Sequence, residues 1–157
     1  MATCSRVMTQ PQFVLAVLLV DGRYVMQLRD DKPGIAAPGV WGLFGGSVEV
    51  GEEPRVALLR ELEEELCINL NDCHFLWSVE HRDQFAATPV GYWLFEADIT
   101  ELWGQHRLTE GQAVQHFAFE ELFALAVPPL IREALQRHRV EGTTSTAPLS
   151  KKRIVSI

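Results

Sequence analysis

The run Phe13-Val-Leu-Ala-Val-Leu-Leu-Val20 is apolar at every position and is followed at once by Asp21-Gly22 and a second strand-like segment, Arg23 to Leu28. A short, uninterrupted apolar run bounded by a turn signal reads as a strand covered on both faces. Asp-Gly suits the positive φ angles of a tight hairpin turn, so the two segments should pair. The second segment alternates through Tyr24, Met26 and Leu28. A sheet whose inner strand is buried on both sides needs a layer on each face, and this predicts an α/β protein rather than a one-sided sheet.

The rest of the chain supplies those layers. A Pro/Gly-punctuated loop, Asp30 to Val40, leads to Trp41–Glu49, read as a short strand running into a glycine turn. Glu53 to about Leu66 reads as a helix, with Pro54 in the first turn, where its missing N–H leaves no bond unmade. Strands are expected at Phe75–Val79 and Gly91–Ala97, and helices at about Phe119–Leu125 and Leu130–Arg137, on either side of Pro128-Pro129. Residues 1–9 read as an N-terminal extension, 10–140 as one domain, and 141–157, rich in Thr, Ser and Pro with Lys151-Lys152-Arg153, as a flexible tail.

With 21 acidic against 14 basic residues the formal charge is -7, which argues against a broad basic face for nucleic acid. No apolar run approaches the length of a membrane span, and no cleavable leader is evident at the N-terminus. Cys4, Cys67 and Cys73 are odd in number and lack CxxC spacing, so the expected setting is a reducing cytoplasm.

The acid is not spread evenly. Glu49 to Glu65 holds seven glutamates against Arg55 and Arg60. On a helix, Leu58, Leu59, Leu62 and Leu66 cover one arc, and Glu61, Glu64 and Glu65 cover another. Two readings of these carboxylates stand: a solvated face, or a metal site. Against the first, pairs at i, i+3 and i+4 repel by roughly 3 kcal/mol at an effective dielectric near 20, less if exposed. Glu64 and Glu65 also sit in the last turn, where the helix dipole disfavours each negative charge by about 0.3–1 kcal/mol. A cluster that costs stability and offers only hard oxygen ligands is better explained as a divalent-cation site. Gly46-x4-Gly51 is no P-loop, because Glu52 stands where that motif needs Lys, and the chain has no GxGxxG, HExxH or GxSxG.

Gly46-x5-Glu52-x7-Arg60-Glu61-Leu62-x-Glu64-Glu65-x-Cys67-Ile68 resembles the Nudix box, the loop-helix-loop signature of the Nudix hydrolases, matching eight of its nine defined positions. The likeness extends over roughly residues 10–140. It implies a Nudix-type α/β/α sandwich with a central mixed sheet. The activity it implies is metal-dependent hydrolysis, by activated water, of a phosphoanhydride in a nucleoside diphosphate linked to another group. The alternative is a Nudix-fold module that binds a nucleotide without turning it over. By this resemblance Glu61, Glu64, Glu65 and the Gly45 carbonyl hold Mg2+ or Mn2+, with Glu61 or Glu64 as base and Arg60 within the catalytic set. Gly46 and Glu52 are structural, the Glu52–Arg60 pair bracing loop against helix. Glu110 is similar in placement to a later-loop metal ligand or base, with an ordinary loop carboxylate as the other reading. Arg29, Trp41 and Phe44 are substrate-binding candidates, although aromatics near a sheet are more often core. A homodimer is compatible with the family. Two positions depart from its pattern: Cys67 replaces the closing glycine, putting the helix cap in question, and Phe44 replaces a common proline. The subfamily marks for ADP-ribose, dinucleoside polyphosphate, NADH and coenzyme A substrates are missing, which leaves a nucleotide sugar or a (deoxy)nucleoside triphosphate.

Overall fold

A computed structural model describes residues 10–35, 38–82 and 88–145. Strand β1 (Gln12–Val20) lies at the centre. It forms a hairpin with β2 (Arg23–Leu28), and both turn residues, Asp21 (φ 49°) and Gly22 (φ 75°), adopt the positive φ expected of the Asp-Gly pair. The strand expected over Trp41–Glu49 is divided into β3 (Trp41–Gly42) and β4 (Phe44–Ser47), which join β2 and β1 respectively. Beyond β1 lie β6 (Val90–Asp98), parallel to it, and β5 (His74–His81), antiparallel to β6. The sheet is therefore mixed, in the order β3-β2-β1-β6-β5.

The alternation of β1 explains the two outer layers. Val14, Ala16, Leu18 and Val20 join Phe44 and the Leu58, Leu62 and Leu66 ridge of helix α1 (Pro54–Leu66). Val17 turns to the other face, where Tyr24, Met26 and Phe117 meet Ile131 and Leu135 of helix α2 (Pro129–Ser145). Both faces of the strand are covered, giving an α/β/α sandwich. Helix α2 is also pinned through a buried polar chain: the Tyr24 hydroxyl lies 2.8 Å from His138 Nδ1, and His138 Nε2 lies 2.6 Å from Glu96 Oε2. Burial holds the Tyr24 phenol above its ordinary pKa.

Three sequence expectations are corrected, and one strand is added to them. Phe119–Ala124 is a 3-10 helix, too short before the Pro128-Pro129 pair to settle into α geometry. Helix α2 continues eight residues past Arg137, because its inward ridge extends to His138 and no proline follows until Pro148. The segment Glu141–Ser145, expected in the tail, is thus helical; the rest of the tail, 146–157, and the extension 1–9 lie outside the described residues. Strand β7 (Ala113–Phe117), paired to β2, was not foreseen because Gln115 and His116 hide its alternation.

Candidate active site

Strand β4 and helix α1 bring the glutamates together. The segment Val48–Glu53 carries the chain from one to the other, and Arg60 ties it down. Arg60 donates from Nε to Glu52 Oε2 (2.9 Å) and from Nη2 to Glu52 Oε1 (2.9 Å), a two-pronged pair, and Nη2 also donates to the Ser47 carbonyl. Its Nη1 reaches Glu61 Oε1 at 2.9 Å and Glu64 Oε2 at 3.5 Å. The Glu52 carboxyl, whose Oε1 also accepts the Glu49 amide, is held down at about 2, chiefly by the Arg60 hydrogen bond. Arg60 accordingly braces the loop and orients two of the three clustered glutamates.

Glu65 differs sharply from Glu64. The Glu64 side chain is 58% exposed, whereas Glu65 is buried at 8%. Burial first, then the charges of Glu61 and Glu110, pushes the Glu65 carboxyl up to about 8, against a hydrogen bond donated by the Gly45 amide. Glu61 is raised as well, mainly by burial. Charge on Glu61 thus raises the cost of charge on Glu65 across the pair. Glu65 Oε2 is buried and has no hydrogen-bond partner among the described residues. A solvated acidic face would show none of this.

Gly46 makes room for the cluster: a Cβ there would stand 2.3 Å from the Glu61 carboxylate. At Gly45, a Cβ would meet the Val14 carbonyl oxygen at 1.9 Å, so β4 approaches β1 at a distance only glycine permits. Cys67 takes the left-handed cap conformation (φ 54°, ψ 32°) usual for glycine, and its N–H donates to the Glu63 carbonyl. The helix therefore ends in a left-handed cap without glycine, at a strain cost of about 1 kcal/mol.

A cavity of about 360 Å³ opens beside Glu65. Arg29, Lys32 and its ion-pair partner Asp30 line it together with Gln27, Thr109 and Glu110, so the loop carboxylate and the strand-end arginine share this cavity with Glu65. Trp41 and Phe44 do not. Phe44 has no exposed surface, because β4 turns its side chain inward between β1 and α1. Trp41, partly buried, packs edge-to-face on Phe117, 5.0 Å between centroids, against the margin of the second core cluster. Phe44 is corrected to a core residue, while Trp41 keeps part of its surface exposed but does not line this cavity. Gln27, Lys32 and Thr109 were overlooked in the sequence. The available signal was Gln27 itself, an amide in an otherwise apolar strand interior.

The anionic groups facing Glu65 are the carboxylates of Glu61 and Glu110, all hard oxygen ligands. Such a set with an orphaned buried oxygen fits Mg2+ or Mn2+ rather than a thiophilic ion. Among the described residues, no three acidic, histidine or cysteine side chains converge closely enough to enclose an ion, and the Arg60 guanidinium engages Glu61 and Glu64.

Comparison with known proteins agrees with this geometry. The NUDIX domain family matches residues 8–138. The chain belongs to the NUDIX family. Among NUDIX structures, it is similar to a MutT NUDIX hydrolase from Burkholderia pseudomallei (28% identity, TM-score 0.69, 82% of this chain and 97% of that one). It shares its fold with a MutT protein from Methanosarcina mazei Go1 (19% identity, TM-score 0.73, 88% and 99%). It is 34% identical over 92 residues to the protein named nucleoside triphosphatase NudI of Escherichia coli O1:K1 / APEC, a match covering 59% of this chain. The chain spans about half the length, 54%, of that curated relative.

Proposed function

We propose that this NUDIX protein is a Mg2+- or Mn2+-dependent pyrophosphohydrolase that cleaves a phosphoanhydride of a (deoxy)nucleoside triphosphate or a nucleotide sugar. The observation that carries the reading is Glu65: a buried carboxylate with an orphaned oxygen, beside Glu61, in the wall of a cavity that Arg29 and Lys32 also line. The name of the Escherichia coli relative, a nucleoside triphosphatase, supports the triphosphate.

Glu61, Glu64 and Glu65 hold the cation, with the Gly45 carbonyl and Glu110 as further oxygen ligands. The bound cation neutralises phosphate charge and lowers the pKa of the attacking water. Arg29 and Lys32 bind the phosphates and orient the scissile bond. Glu61 or Glu64 takes the water's proton. Arg60 keeps those two carboxylates aimed while its pair with Glu52 fixes the loop. A module that only binds nucleotides has no use for this full acidic set, whose mutual repulsion costs stability.

The test is a screen of nucleoside triphosphates, nucleotide sugars, ADP-ribose and dinucleotides with Mg2+ and with chelator, products identified by mass. A Mg2+-dependent release of nucleoside monophosphate, lost in Glu64→Gln, is expected. Hydrolysis that survives in Glu64→Gln across the panel refutes the catalytic assignment, and binding without turnover favours the nucleotide-binding module.

A further inference from the structure

The segment from Arg107 to Gln112 has no regular structure, and Glu110 within it is exposed. What holds it is a set of bonds to two elements of the site. From one side it caps the end of α1: the Arg107 N–H donates to the Leu66 carbonyl (2.9 Å) and the Thr109 N–H to the Glu65 carbonyl (3.0 Å). The Thr109 hydroxyl donates to the Glu64 carbonyl at 2.6 Å. These carbonyls belong to the last helical turn, which has no intrahelical donors for them. They are also the backbone of the two glutamates at the end of the acidic cluster.

From the other side β2 grips the same loop. The buried Gln27 amide donates from Nε2 to the Glu110 carbonyl (2.9 Å), and the Gln112 N–H donates to the Leu28 carbonyl (2.8 Å). Gly111 fits between them at φ 87°, where a Cβ would fall 2.8 Å from both Gln27 Nε2 and the Leu28 carbonyl oxygen. Glu110 thus sits on a residue whose neighbour, Thr109, is bonded to the backbone of Glu64 and Glu65, and whose own carbonyl is bonded to β2.

We propose that Thr109 and Gln27 are the positioning residues of this site: they clamp the loop between the end of α1 and β2, and so set Glu110 against Glu65 in one oxygen-ligand set. The inference rests on the metal-ligand reading given above. Neither side chain touches the reacting atoms; each acts through the placement of Glu110.

The experiment measures Mn2+ affinity by the electron paramagnetic resonance signal of free Mn2+, without substrate, in the wild type, Thr109→Val, Thr109→Ser, Gln27→Leu, Glu110→Gln and Glu65→Gln. Hydrogen exchange at the Arg107 and Gln112 amides is followed in the same samples. Residues that orient metal ligands typically contribute 10- to 100-fold to affinity. Thr109→Val and Gln27→Leu are therefore expected to weaken Mn2+ by about 10-fold and to speed exchange in the loop, while Thr109→Ser restores both. Unchanged affinity in Thr109→Val and Gln27→Leu, alongside a loss in Glu110→Gln, overturns the proposal and leaves the functional reading intact. A fall in melting temperature with affinity retained marks Thr109 as a helix cap only and also overturns it. If the wild type binds no Mn2+, or Glu65→Gln binds as tightly as the wild type, the functional reading fails. Loop exchange in Thr109→Val then still decides whether Thr109 holds Glu110 in place.

Discussion

Adjacent glycines of β4 allow a test in which fold and site separate. In Gly46→Ala the new Cβ would lie 2.3 Å from the Glu61 Cδ and Oε1 and 2.7 Å from its Oε2, where ordinary contact begins near 3.4 Å. The obstacle is the far end of a flexible side chain, so the carboxylate retreats by about 1 Å at an off-rotamer cost of roughly 0.5–1.5 kcal/mol. Part of that is offset, since glycine in a strand is itself unfavourable. A misplacement of about 1 Å in a reacting group costs about 100-fold in rate. In Gly45→Ala the obstacle is backbone: 1.9 Å to the Val14 carbonyl oxygen and 3.0 Å to the Leu15 Cα. Relief there requires β4 to leave β1, with a cost of about 3 kcal/mol or more. At about 2–4 °C per kcal/mol for a chain of this size, the melting temperature falls by roughly 6–12 °C. The assay pairs thermal melts with Mg2+-dependent nucleoside triphosphate hydrolysis. Gly46→Ala should melt within about 4 °C of the wild type and lose about 100-fold in kcat; Gly45→Ala should lose the fold first. Wild-type kcat in Gly46→Ala, or a wild-type melt in Gly45→Ala, refutes the reasoning.

Three further outcomes are expected. His138→Phe leaves the Tyr24 hydroxyl without its partner and frees Glu96, costing about 1–3 kcal/mol, visible as a lower melting temperature with Mg2+ affinity unchanged. Cys67→Gly relieves the left-handed cap and raises stability by about 1 kcal/mol, read from urea melts. The Thr100 hydrogen bonds hold the Asp98 carboxyl below its ordinary pKa. Its contribution is therefore complete above the unfolded value near 3.8 and lost as pH falls through the lower folded value. The stability gap between wild type and Asp98→Ala should close on acidification, not on raising the pH.

The apolar run Phe13–Val20 and the Asp21-Gly22 turn made the centre of the sheet legible, because burial on two faces and positive φ each demand particular residues. The acidic cluster was legible for the opposite reason: its charges oppose helix stability and so needed another explanation. Strand β7 was not, since an edge strand with Gln115 and His116 carries a weak alternation. Nor was the fate of Phe44 and Trp41, because composition does not say which way a side chain turns from a strand broken after Gly42. The Arg107–Gln112 clamp depends on hydrogen bonds to segments 45 and 83 residues away in sequence, which no local pattern encodes.

The central claim is that the Glu61–Glu65 carboxylates hold the divalent cation on which hydrolysis depends. The most direct measurement is the Mg2+ dependence of nucleoside triphosphate hydrolysis in Glu65→Gln beside the wild type. The expected result is Mg2+-dependent turnover in the wild type and a loss of at least about 100-fold in the variant. Equal rates in the two proteins, or a wild-type rate indifferent to Mg2+, would contradict it.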